Sequence, residues 1–373
     1  MASTIEMTDE QSMLLETASE FCRQHSPLDA VRRSIGMEES IDPALWQQMV
    51  DLGWLGVIVP AEHGGLGLGP GDLVPIAESM GRHLMSSPFF ATIMATQAIN
   101  GSGSEAQKAD WLPRIVGGAT GSVALTEADG SWMLTDISAT GEIEGDKIRL
   151  GGTKTFVLDA QAADLLIASV NIDGKARLVL IEKDQVPTQA ITRDIVIDET
   201  RRSFTLVLDG ISVPATQLLP GADFRLLEQT ALLLLSAEIA GGLAGVLHVI
   251  VDYLTTRKQF DKLIGSYQAL KHPTVQILLS LEAARSHVYH AATALAGGNE
   301  EEISTALHMA KAQGSEAFAF AGDRAIQFHG GFGFTYECNA QLYLRRALWC
   351  QYQFGDERYH RSRLASLLLG ETA

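Results

Sequence analysis

AIQFHGGFGFTYECNAQLYLRRALWCQYQFGDERYHR, residues Ala325 to Arg361, is the stretch that decides how the rest of the chain is read. A helical segment runs into the glycine pair Gly330-Gly331. A turn follows, then a second apolar and basic helical segment, and the pattern breaks at Phe354-Gly355-Asp356. Adjacent glycines let backbone N–H groups approach a phosphate or an adenine closely. A plain αα-hairpin with glycines at a helix C-cap would use the same letters. A glycine-rich turn alone does not separate the two readings.

The helical signal extends back from this stretch to Leu218-Leu219-Pro220-Gly221, with long helices expected over 223–259, 265–297, 301–329, 338–353 and 356–369. Glu300-Glu301-Glu302 reads as the solvated start of one of them. Residues 231–251, ALLLLSAEIAGGLAGVLHVIV, are long enough to span a bilayer, but they carry Glu238 and His248. An acid at the bilayer centre costs roughly 2.5–3.5 kcal/mol or more, so a helix buried in a bundle is expected and no membrane span.

From Ser122 to about Val213 short apolar runs alternate with turns, and Asp-Gly recurs at 129–130, 173–174 and 209–210. Such pairs favour tight turns between strands, so a β-sandwich or barrel is expected there. The first 115 or so residues read as helical again: 7–35 with Thr8 as its cap, 43–53, 71–83, 86–100 and 104–116, with a glycine-rich loop over 53–72 where no helix is expected. The expected fold class is α+β multidomain: an N-terminal helical domain (1–117), a central β-sandwich/barrel domain (118–221) and a C-terminal four-helix-bundle domain (222–373).

The net charge of −17 argues against a nucleic-acid binder, which needs a basic footprint. A phosphate ligand must then be held by local donors. Cys22, Cys338 and Cys350 are few and lack metal-ligand spacing, which points to a reducing compartment, the cytoplasm. No secretory signal is read in MASTIEMTDEQ.

Five motifs occur in an order that resembles the acyl-CoA dehydrogenase family along essentially the whole chain. GWLGVIVPAEHGGLGLG (53–69) looks like the family's N-terminal loop. ALTEADGSW (124–132) resembles the strand-to-loop segment along the flavin, and GGTKTFVLDAQAADLLIA (151–168) the segment reaching the ring's other side. YLTTRKQFDKLIGSYQALKH (253–272) is similar to the family's Arg-x-x-Phe…Gln-x-x-x-His pattern, and IQFHGGFGF (326–334) to its Gln-x-x-Gly-Gly-x-Gly-Phe. The Lys-Thr-Phe-Val and Phe-Gly-Asp variants resemble bacterial members that handle bulky or steroid-derived acyl-CoAs.

The resemblance implies FAD as cofactor, an acyl-CoA substrate, α,β-dehydrogenation and an electron-transfer flavoprotein as electron acceptor. It places Leu125, Thr126 and Ser131 on the flavin from the β side, with Phe156 and Val157 on its face. Phe156 stands where many members have tryptophan, and Leu158 replaces a common threonine. Arg257 is the diphosphate ligand implied, since a guanidinium forks onto phosphate with two parallel bonds; as a bare residue it is also a surface charge on a helix. With Phe260, Gln268, Gln327, Gly330 and Gly331, it would serve the FAD of the adjacent subunit, so a homodimer, a homotetramer or a heterotetramer with a related subunit is implied.

The family's catalytic glutamate is missing from its two usual positions. The loop position holds Phe354, and the helix position, 22 residues before Tyr253, holds Ala231. Three acids are candidates: Glu238, two turns beyond Ala231 on the same helix face and set in an apolar run that would raise its pKa; Asp356, beyond the loop position; and Glu337, which also reads as a cap. The alternative is a chain without a base, an FAD-binding partner in a heteromeric dehydrogenase.

Overall fold

The computed structural model describes residues 9–37 and 42–370. The helix expected over 7–35 is two helices, α1 (Asp9–His25) and α2 (Leu28–Ile35). The reason is Pro27: it pushes Ser26 out of the α region and itself sits extended, at φ −63° and ψ 150°, as the N-cap of α2. Thr8, the expected cap, lies outside the described residues. Helix α3 (Pro43–Asp51) starts on Asp42, whose carboxylate accepts from the Ala44 N–H. The glycine-rich loop holds three short 3-10 turns and no α-helix. Helices α4 (Val74–Arg82), α5 (Phe89–Ser102) and α6 (Glu105–Val116) complete this part, the last opened by a Ser104/Gln107 capping box.

The β region runs β1 (Gly121–Ala124), β2 (Thr140–Glu144), β3 (Lys147–Gly151), β4 (Thr153–Leu158), β5 (Leu165–Ile172), β6 (Lys175–Glu182), β7 (Ile191–Arg193), β8 (Ser203–Val207) and β9 (Ser212–Pro214). One sheet has the order β1-β5-β2-β3-β9 with β6 on β5; the other is β4-β8-β7. Apolar side chains of both, among them Ile148, Val157, Val170 and Phe204, form a shared core. Of the three Asp-Gly pairs only Asp173-Gly174 turns between paired strands, β5 and β6. Asp209-Gly210 carries the chain from one sheet to the other, and Asp129-Gly130 opens a loop.

The last part comprises α7 (Phe224–Thr256), a short hairpin of β10 (Lys258–Gln259) and β11 (Lys262–Leu263), then α8 (Gln268–Gly297), α9 (Glu300–His329), α10 (Ala340–Tyr352) and α11 (Glu357–Leu369). Helix α9 packs on α7, α8, α10 and α11. The sequence reading carried the first bundle helix to 259; instead the chain leaves the helix at Arg257 and reverses at Phe260 and Asp261, both left-handed at φ 54° and 60°. α7 is apolar enough to cross a membrane by length and composition, yet 72% of its most apolar window is buried in the protein, the mark of a core helix. It crosses α4 at backbone contact. A Cβ on Gly241 would lie 1.8 Å from the Glu78 carbonyl oxygen, and one on Gly81 2.0 Å from that of Glu238. Only glycine fits at that crossing.

Candidate active site

On the β side, Leu125 and Thr126 follow β1 directly, and Thr126 bridges to Thr155 on β4, whose N–H donates to the Thr126 carbonyl at 2.9 Å. The two segments are fastened by the fully buried Lys154. Its Nζ donates to Glu127 Oε1 at 2.7 Å and to Ser169 Oγ at 2.9 Å, while Glu127 also accepts the N–H groups of Ser138 and Ala139. Burial pushes the Glu127 carboxyl up, but Lys154 and the two backbone donors outweigh it and hold it below the usual range. Strand β4 bulges between Lys154 and Val157. Phe156 takes a left-handed φ of 54° there, a sparsely populated conformation for a bulky residue, and stands half exposed. Val157 is wholly buried in the β core, so its backbone is what a ligand could meet. Thr155 Oγ1 is buried without a partner among the described residues. Ser131 donates its N–H to Asp129 and accepts from Met133.

On the bundle side, Arg257, Phe260, Gly330 and Gly331 line one open cavity of about 780 Å³ together with Tyr253, Tyr267 and His329. The hairpin and the α9 terminus put them there. Gly330 needs its left-handed φ of 60°, and a Cβ on either glycine would meet nothing within 4 Å, so space lies above both. His329 stacks on Tyr253 at 4.0 Å and shares a hydrogen bond with the Ala325 carbonyl; burial lowers its pKa. Arg257 is exposed and makes no ion pair among the described residues. Gln268 and Gln327 are exposed and do not line this cavity, nor do the β-side residues.

Of the acids considered as bases, Glu238 and Asp356 have side-chain partners. Glu238 is buried and paired with two guanidinium groups, Arg201 and Arg346, the latter at 2.6 Å. Arg346, wholly buried, also pairs with Asp198 and donates to Thr200 Oγ1 at 2.7 Å. Burial pushes the Asp198 carboxyl up, but Arg346 and Arg201 hold it below the ordinary range. Asp356 caps α11, accepting the Tyr359 N–H at 2.8 Å. Glu337 is exposed and is not a helix cap: α10 starts after Asn339, and Arg32 takes the Glu337 carbonyl at 2.9 Å. Ala231 is buried, and Phe354, at φ 56°, packs partly into two cores.

A second cavity, about 300 Å³, opens between the loop after Ser131 and the bundle. Met133, Leu134 and Thr135 line one wall; Arg225, Glu228, Gln229 and Leu232 of α7 line another; Glu300, Ser304, Leu307 and His308 of α9 and Tyr359 and Arg363 of α11 close it. The α7 residues follow the spacing of one helix face. Trp132 ties the loop down by donating from Nε1 to the Tyr352 carbonyl at 3.2 Å and by packing on Tyr359. Below it, buried Lys311 donates to the carbonyls of Gln351 and Gly355 at 3.1 and 2.7 Å, fixing the Phe354-Gly355 turn. Glu228, in this cavity, went unread in the sequence; the signal that could have found it is its place three residues before Ala231, on the same helix face.

An unpartnered buried hydroxyl beside Thr126, an unpaired guanidinium, and open space above two glycines together fit a flavin dinucleotide. A family model described as "Acyl-CoA dehydrogenase, N-terminal domain" matches residues 8–119, and "Acyl-CoA dehydrogenase, C-terminal domain" matches residues 230–369. The chain is 32% identical over 313 residues to Acyl-CoA dehydrogenase FadE12 of Mycobacterium tuberculosis, covering 79% of each chain. It is 29% identical to Acyl-CoA dehydrogenase IpdE2 of Mycolicibacterium smegmatis, covering 96% of this chain and 98% of that one. Among solved structures, a variant of the Tcur3481-Tcur3483 steroid ACAD superposes with a TM-score of 0.87 at 27% identity, over 97% of this chain and 98% of that one.

Proposed function

Because the chain belongs to the acyl-CoA dehydrogenase family, whose cofactor is FAD, we propose that it catalyses α,β-dehydrogenation of an acyl-CoA thioester to the 2-enoyl-CoA and passes the electrons to an electron-transfer flavoprotein. The observation that carries this reading is the unpaired Arg257 beside Gly330 and Gly331 in an open cavity, with an orphaned Thr155 hydroxyl on the β side. Bound FAD supplies the two-electron oxidant. Leu125, Thr126, Ser131 and the backbone at Phe156 and Val157 would hold it from the β side with fixed dipoles. Arg257 would take the diphosphate of an adjacent subunit's cofactor in the cavity it shares with Phe260, Gly330 and Gly331, and the family resemblance adds Gln268 and Gln327, which lie outside that cavity. Exposed Val275, Leu278 and Leu279 on α8 and Phe332 and Phe334 beyond the glycines give such a pairing an apolar face.

The second reading is an FAD-binding subunit that is catalytically silent and paired with a related chain. Phe354 and Ala231 at the two usual base positions favour it, and the Tcur3481-Tcur3483 relative is named as a pair. That relative's name also carries the word steroid, which makes a bulky acyl group the substrate class to try first.

Arg257→Ala is the direct test. It should lose most bound FAD, read as flavin absorbance per polypeptide, with the melting temperature of the apoprotein unchanged because the side chain is exposed. Full flavin occupancy in that variant would defeat the assignment of Arg257.

A further inference from the structure

We propose that Glu228, on α7, is this chain's own catalytic base, removing the α-proton of the acyl thioester from within the cavity beside the Ser131 loop. This rests on the dehydrogenase reading above and supplies the residue it lacks.

The argument is positional first. Arg225, Glu228, Gln229 and Leu232 present one face of α7 to the cavity, whose opposite wall is the Met133–Thr135 stretch that follows Ser131. The family's helix position for the base, Ala231, is buried in the core, and Glu228 lies three residues before it. Positions 228 and 231 lie one turn apart on one side of the helix, and of the two Glu228 lines the cavity.

Bonding separates Glu228 from Glu300, Glu238 and Asp356, and position separates it from Glu337, which is exposed outside the cavity. Glu300, the other acid lining the cavity, is taken by Arg225 at 2.9 Å and Gln229 at 3.3 Å. Glu238 is held by two arginines and Asp356 by a helix N-terminus. Glu228 makes no hydrogen bond or ion pair among the described residues. Its charged and titratable neighbours across the cavity are Arg225 on its own helix, Glu300 and His308 on α9, and Tyr359 and Arg363 on α11. His308 is neutral, its pKa pulled down to about 4 by burial and by Arg363, and it is engaged with His360 through Nδ1 at 2.8 Å. Burial pushes the Glu228 carboxyl up and Arg363 offsets part of this, the direction that makes a carboxylate a stronger base.

The step balances. The Cα–H bond breaks and its proton forms an O–H bond on Glu228. The electron pair left on Cα becomes the Cα=Cβ bond as hydride leaves Cβ for oxidised FAD, the two-electron acceptor. The products are the 2-enoyl-CoA, protonated Glu228 and two-electron-reduced FAD.

The experiment separates proton removal from redox turnover. Holoprotein with its flavin reduced by dithionite is held in D₂O with butyryl-, octanoyl- or cholanoyl-CoA, and deuterium entry at Cα is followed by mass spectrometry. Wild type should exchange with at least one thioester. Glu228→Gln should exchange and, oxidised, reduce flavin at least 100-fold more slowly with FAD occupancy and acyl-CoA binding retained, and Glu228→Asp should recover part of the rate. Exchange in Glu228→Gln within threefold of wild type would overturn the proposal. So would wild type that binds FAD and all three thioesters yet exchanges none, the behaviour of a silent subunit. Wild type that fails to bind FAD at all overturns the dehydrogenase reading itself, and the proposal with it.

Discussion

Glu228 and Glu238 sit on the same helix and meet opposite fates. Glu238 is enclosed by Arg201 and Arg346, and through Arg346 it belongs to a buried network with Asp198 and Thr200 that fastens the β region to α7 and α10. Glu228 faces a cavity, and its neighbouring arginine on the same helix is committed to Glu300. A carboxylate held between two guanidinium groups, as Glu238 is through Oε1, is committed to the fold. An unsaturated, half-buried one is costly to the fold and is therefore worth explaining by function. The difference lies in what the rest of the chain brings to each position.

The largest effect is expected at the saturated site. Glu238→Gln leaves two buried guanidinium groups short of a partner, and breaking a buried pair this way costs about 3–5 kcal/mol. Urea unfolding should show that loss as a lower midpoint at unchanged slope. A loss below about 1 kcal/mol would mean the network relaxes onto Asp198 alone and would remove the contrast drawn between the two glutamates.

This contrast was only half legible in the sequence. The three-part plan, the glycine-rich turn at 330–331 and the exclusion of a helix from 53–72 follow from local letters, and the structure bears them out. Glu238 within LLLLSAE reads as an isolated acid in an apolar run. Its partners lie 37 residues before it, between β7 and β8, and 108 residues after it on α10, separations that local periodicity does not cross. Glu228 lies one turn before Ala231, and nothing in the local letters marks it as lining a cavity built from α9, α11 and the loop after Ser131. The hairpin at 258–263 was hidden for another reason: Phe260 and Asp261 adopt left-handed φ without a glycine to announce it.

The next effect sharpens the comparison from the cavity side. His308, which lines the Glu228 cavity, and His360 share a hydrogen bond. Burial, with Arg363, lowers His308 to about 4; burial, with Lys311 and His308, lowers His360 to about 2. The unfolded chain therefore takes up protons from about pH 6.5 downward that the folded chain refuses. Stability is full above that pH and falls as pH drops toward 4, by roughly 3 kcal/mol if the pair is counted once. Thermal melts from pH 7 to 4.5 should show the fall, and His308→Gln should flatten it. A slope unchanged by His308→Gln would place the acid sensitivity elsewhere.

The smallest effect has the opposite sign and is the most discriminating. Burial raises the Glu228 carboxyl, so this group favours the folded state when protonated, and that contribution is lost as pH rises through its folded pKa. Glu228→Gln removes a desolvated charge and keeps the shape. At pH 7 the variant should equal wild type or exceed it by up to about 1 kcal/mol, the increment typical of relieving a functional residue's burden on the fold. As pH falls below the raised pKa of Glu228, the wild-type carboxyl takes up its proton and the advantage should vanish. Measured beside Glu238→Gln, this gives two glutamine substitutions on one helix with opposite effects on stability. A Glu228→Gln protein destabilised by more than about 1 kcal/mol at pH 7 would show that Glu228 has a partner in the folded chain, as Glu238 does, and would make its free lone pairs unavailable to a substrate.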